Sequence, residues 1–137
     1  MTVTIPKEDR VVFPGVELAV YWLALPGDSL PAKKEYDKHI DSVKAEATFR
    51  AIDRFLAQKQ PVPSTYMSPI RIDRSLKLWE IRAPKRGPVI GRMFAYRGQG
   101  WDLYLALCRK KKSQKIPQDW KTTAAGRVRL SMNSGGP

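Results

Sequence analysis

Leu78-Trp79-Glu80-Ile81-Arg82, Arg92-Met93-Phe94-Ala95-Tyr96 and the run Trp101 to Cys108 decide the fold. Each is short and rich in aromatic or aliphatic residues. Turn-forming groups separate them: Pro84-Lys85-Arg86-Gly87-Pro88 first, then Gly98-Gln99-Gly100. This pattern predicts strands over Leu76–Ala83, Val89–Tyr96 and Trp101–Cys108. Three sequence-adjacent strands joined by short turns form a meander. Strand alternation places Leu78, Glu80 and Arg82 on one face and Trp79, Ile81 and Ala83 on the other. Leu103, Leu105 and Leu107 alternate toward a core. The basic run Arg109-Lys110-Lys111-Lys112-Ser113-Gln114-Lys115-Ile116-Pro117 follows at once, so a cationic patch at the sheet is expected.

Upstream, Met1 to Gly15 shows no period and reads as an extended arm. Val16 to Leu25 reads as a strand stopped by Pro26-Gly27. Ser29 before Pro31 predicts the cap and first turn of a helix running to about Asp41. Asp41 or Ser42 can cap a second helix, in which Phe49, Ile52, Phe55 and Leu56 recur at helical spacing. Gln60 to Pro69 holds three prolines and reads as loop. Downstream, Pro117 can open a closing helix with Trp120, Ala124 and Val128 on one face, and Ser131 to Pro137 reads as a frayed tail. The expected fold is therefore α+β: a small antiparallel sheet made of the first strand and the meander, with a helical hairpin and a C-terminal helix. The hairpin is expected to cover one face and leave the other, with Glu80 and Arg82, partly open. One domain is expected over residues 16–130, flanked by the arm, 1–15, and the tail, 131–137.

Composition narrows the function classes. The 137 residues carry 25 Lys and Arg against 13 Asp and Glu, a formal net charge of +12. Such an excess suits phosphate binding, where counterion release supplies affinity. One cysteine, Cys108, allows no disulfide within the chain, and with one histidine, His39, no thiol–metal cluster. The longest apolar stretch, Leu18 to Leu25, is too short to span a bilayer. No basic segment followed by an apolar run opens the chain, so a cytoplasmic protein without a membrane partner is expected.

The order of elements and the motifs resemble the RelE/ParE toxin superfamily, in particular its phage Gp49-like and HigB-like branch. The resemblance rests on Pro26-Gly27-Asp28-Ser29, the Leu78 to Arg82 strand, the Arg92 to Tyr96 strand, the apolar Trp101 to Leu107 and Lys111-Lys112-Ser113-Gln114-Lys115-Ile116-Pro117, and covers roughly Val16 to Leu130. It implies a RelE-like fold and the toxin of a type II toxin–antitoxin module. It also implies an endoribonuclease that cleaves mRNA, often on the ribosome, without metal or other cofactor. The implied partners are mRNA and a cognate antitoxin, a small helix-turn-helix DNA-binding protein in this branch. Two alternatives stay open: a ParE-like gyrase-directed toxin, and a nucleic-acid-binding protein of the same fold without catalysis.

Metal-free RNA cleavage needs a base for the 2′-hydroxyl, cations for the charged phosphorane and an acid for the leaving oxygen. Arg82 and Arg92 are candidate stabilisers, because a guanidinium keeps its charge and grips phosphate with two donors. Glu80 and Lys112 are the candidate acid–base groups. Lys85, Arg86, Arg109, Lys110, Lys111 and Lys115 are candidate RNA-binding cations, and Trp120 could stack on a base. Tyr96 carries a hydroxyl that could donate a proton, with a core role weighed equally. Trp79 is expected in the core, His39 away from these motifs, and Cys108 as a small core residue.

Overall fold

The computed structural model describes residues 10–11, 18–72, 74–84, 89–111 and 115–133. Strands β1 (Arg10–Val11) and β2 (Val20–Trp22) precede helices α1 (Pro31–His39) and α2 (Ser42–Ala57). Four strands follow, β3 (Met67–Arg71), β4 (Lys77–Pro84), β5 (Ile90–Arg97) and β6 (Leu103–Lys111), and then helix α3 (Gln118–Asn133). They form one mixed sheet in the order β1-β2-β6-β5-β4-β3. The meander is antiparallel throughout, and β2 joins it by running parallel to β6. Among the described residues, no helix is long and apolar enough to cross a membrane.

Local chemistry accounts for most boundaries. Asp41 caps α2 by accepting the Val43 and Lys44 amides at 3.0 and 3.2 Å. α1 begins at Pro31 but Leu30, without a side-chain cap, stands where Ser29 was expected. Ser29 instead closes the preceding turn, its carbonyl accepting the Leu25 amide at 2.9 Å. Gly27 and Asp28 take left-handed φ values of 81° and 62° in that turn.

Five expectations are corrected. The sheet is mixed rather than antiparallel, because the helical hairpin carries the chain from β2 to the far side of the meander and β2 runs parallel to β6. The supposed arm contributes a strand, since Arg10 and Val11 pair with Tyr21 and Val20. The proline-rich segment ends in β3, where Pro69 is tolerated because β3 is the sheet's edge strand. α3 runs past the expected frayed point: Ser131 is buried and its hydroxyl donates to the Ala24 carbonyl at 2.8 Å. The sheet also has no open face at its centre. Ala32, Tyr36, Phe49 and Ile52 of the hairpin pack with Val20, Ile81, Met93 and Leu105 on one side. Ala124, Ala125 and Val128 of α3 pack with Leu78, Phe94 and Leu107 on the other.

A β-bulge decides which face the basic run joins. Phe94 pairs with Leu107 but Ala95 pairs with Leu105, so Ala106 is an extra residue in β6. Leu103 and Leu105 therefore face the hairpin while Leu107 faces α3, against the simple alternation expected of these leucines. The same one-residue slip carries Arg109 and Lys111 to the α3 face. That is the face of Glu80, Arg82 and Arg92.

Candidate nucleic-acid interface

Arg82, Arg92 and Arg109 stand directly opposite one another across β4, β5 and β6. Like charges in such a row repel, and a carboxylate placed one step along the strand relieves the repulsion. Glu80 is that carboxylate. Its Oε1 accepts the Arg82 Nε–H at 2.8 Å and its Oε2 accepts from an Arg92 terminal nitrogen at 2.7 Å. Arg82 also donates to the Ser64 carbonyl at 3.1 Å, which ties the β4 cation to the α2–β3 connection.

Burial sorts the three. The Arg92 side chain is 0% exposed and that of Glu80 is 1%, whereas 25% of Arg82 meets solvent. Glu80 and Arg92 are both buried, so the placement of Glu80 on an open face is corrected. With both oxygens engaged by guanidinium groups and no solvent access, Glu80 is a ligand of the arginines rather than a group open to a 2′-hydroxyl. Arg92, walled in behind it, fixes Glu80 from the far side. Of the expected arginine–glutamate set, Arg82 alone presents charge at the surface. Lys112, Lys85 and Arg86 lie outside the described residues.

The remaining cations gather at the end of β6. Lys110 and Lys115 are exposed, and Lys111 is half-buried with its ammonium 5.8 Å from the Trp120 ring centroid. Trp120 leans on Phe94, ring centroids 6.4 Å apart, so one part of the indole is core and the rest borders the lysines. Tyr96 lies four residues along β5 from Arg92, about 14 Å away, at the other end of the sheet.

Arg109 turns to a second ion cluster. β2 pairs with β6 only as far as Leu105, which leaves later β6 backbone groups in need of partners. Glu35 of α1 accepts the Cys108 amide at 3.1 Å, and Arg127 of α3 donates to the Ala106 carbonyl at 3.0 Å. Arg127 grips both Glu35 oxygens at 2.8 and 2.9 Å, and Arg109 pairs with the same carboxylate. Burial by itself would raise the Glu35 carboxyl, but hydrogen bonds from Arg127, Arg109 and Cys108 outweigh it and hold the group below its ordinary value. A lowered folded-state value stabilises the fold when the carboxylate is ionised. Acid titration is therefore expected to leave this contribution intact above about 4.5 and to remove it as pH falls through the lowered value. Glu35→Gln should flatten that part of the stability–pH curve, measured by urea unfolding at each pH.

Two residues differ in placement from expectation or confirm it for a physical reason. His39 ends α1 beside the basic corner, where burial, then Lys110, Lys38 and Arg109, lower its imidazole below the usual range. The sequence hides this neighbour because α1 and β6 are about 70 residues apart. The α1 end reaches the sheet over Gly91, at which a Cβ would meet the Ile40 side chain at 3.0 Å. Cys108 is fully buried, and burial pushes its thiol well up, as suits a packing residue. Comparisons with protein-family models, with curated proteins and with solved structures return no match to this chain.

Proposed function

We propose that this chain is the RNA-directed toxin of a type II toxin–antitoxin module, of the RelE/ParE kind that its motifs resemble, and that it cleaves mRNA at the Arg82 corner. The observation that supports this reading is the gathering of Arg82, Lys111 and Trp120 on the α3 face at one end of the sheet, where the Ala106 bulge turns Lys111, with Lys110 exposed at the same strand end. The succession of strand, helical hairpin, meander and closing helix follows the expected element order, with β1 and β3 as additions and with β2 parallel to β6 where an antiparallel sheet was expected. Arg82 offers a guanidinium to the phosphorane, the lysines hold neighbouring phosphates and Trp120 offers an aromatic surface to a base. An antitoxin that covers this corner would both neutralise the charge and block the approach of phosphate.

One observation favours a second reading. Glu80 and Arg92 are sealed in an ion triad, which withdraws the expected acid–base carboxylate from solvent. A nucleic-acid-binding protein without catalysis needs only the cations. Induction of the chain in cells, with growth and mRNA integrity followed together, separates the readings. Growth arrest with cleaved mRNA supports the ribonuclease. Arrest with intact mRNA points to gyrase, and neither effect with retained RNA affinity points to binding alone. In both RNA readings affinity is expected to fall steeply with salt. About four phosphate contacts correspond to a slope of roughly −3 for log affinity against log salt on single strands. A flat response measured by fluorescence anisotropy would mean that the corner does not bind phosphates.

A further inference from the structure

A second aromatic and cationic cluster lies on the hairpin face, with Trp79 three residues, about 10 Å, along β4 from Arg82 and Lys77 five residues from it. Trp79 and Trp101 meet edge to face with ring centroids 5.2 Å apart. The Lys77 ammonium stands 4.9 Å from the Trp79 centroid, and the Arg97 guanidinium carbon 3.6 Å from that of Trp101. The two indoles wall a cavity of about 280 Å³ closed on its other sides by Leu56, Val62 and Met67, with Gln60, Ser64 and Ser68 as polar groups.

Size and chemistry together limit what fits. The space admits one small ring system, its walls are flat and apolar, and the few polar groups can meet the edge of a base. Lys77 and Arg97 are exposed, and neither has a carboxylate partner among the described residues. Two cations of one sign beside an aromatic slot complement a ligand that joins a ring to an anion. We infer that the Trp79–Trp101 slot takes one unpaired base of a single-stranded nucleic acid, with its phosphate on Lys77 and Arg97. This rests on the RNA-directed reading above and adds to it a contact on the hairpin face, whose lining residue Ser64 also accepts from Arg82. Strand ends captured here are held by stacking, which tolerates many sequences.

The test titrates the full chain with adenosine 5′-monophosphate and with adenosine, following the four tryptophan indole N–H resonances by NMR. Saturable shifts are expected at Trp79 and Trp101 but not at Trp22, with the nucleotide binding about tenfold more tightly than the nucleoside. Lys77→Glu, an exposed substitution, should erase that tenfold difference. Trp101→Ala should abolish the Trp79 shift and Trp101→Phe should retain it. Arg97 is left unchanged because its Nε donates to the Gly100 carbonyl and holds the turn. Shifts confined to Trp120, equal affinity for nucleotide and nucleoside, or an equal response to free indole would overturn the proposal. Growth arrest and mRNA cleavage do not enter this measurement. A chain that cleaves mRNA yet shows no Trp79 or Trp101 response would refute the slot alone.

Discussion

Glu80→Ala is expected to lower the melting temperature by about 10–20 °C. Arg92 is fully enclosed and its charge is held by a carboxylate that is itself 1% exposed. Removing one member of a buried pair leaves the other charged and desolvated, which costs about 3–5 kcal/mol. For a domain of this size that corresponds to the stated shift. Replacing both members with apolar residues, Glu80→Met with Arg92→Met, should recover much of the loss, because no charge is then stranded. Thermal unfolding followed by circular dichroism reads both variants. A loss below about 1 kcal/mol for Glu80→Ala would show that the triad is not what holds β4 to β5 under α3. The comparison also isolates Arg82. It keeps a quarter of its side chain in solvent, so Arg82→Ala should cost far less stability than either buried partner.

Arg82→Ala is expected to slow mRNA cleavage by about 10²-fold or more while leaving RNA affinity nearly unchanged. A guanidinium poised by Glu80 and the Ser64 carbonyl is oriented before substrate arrives, and it acts most strongly where charge develops. A 10²-fold loss corresponds to about 2.7 kcal/mol of transition-state stabilisation. Lys110→Ala and Lys111→Ala should do the reverse and weaken binding more than turnover. An ammonium in solvent contacts substrate and transition state about equally. Glu80→Gln supplies the control for positioning. It keeps the side chain's shape but removes the charge that orients Arg82 and pairs buried Arg92, so, assayed well below its lowered melting temperature, cleavage should fall while the Lys110 and Lys111 contributions to binding persist. Cleavage of ribosome-bound mRNA by purified variants, beside direct RNA binding, gives both quantities. Full cleavage by Arg82→Ala would remove this arginine from the site.

The difference between Arg82 and Arg92 could not be read from their types. Both sit in strands beside aromatic residues, and both carry the same donors. What separates them is burial: the Arg92 side chain is 0% exposed, whereas 25% of Arg82 meets solvent. His39 was hidden for a related reason. Its proximity to Lys110 arises where α1 meets the sheet over Gly91, a contact that no local pattern announces.

Local chemistry was enough for the elements themselves. Alternation and turn residues marked β4, β5 and β6, Asp41 marked the start of α2, and the Phe49 and Ile52 stripe marked its buried face. These depend on neighbours within a few residues, where sequence and conformation are directly coupled. β3 escaped because three prolines outweigh a short apolar run until an edge position removes the need for the Pro69 amide. The Ala106 bulge escaped because alternation has no memory of an inserted residue; only pairing with β5 shows that Leu107 and Arg109 have changed sides. By itself the sequence determined that cations and aromatics would be carried on a small α+β sheet. The tertiary structure alone decided which cations remain at the surface, because burial is set by what packs on a strand from far along the chain.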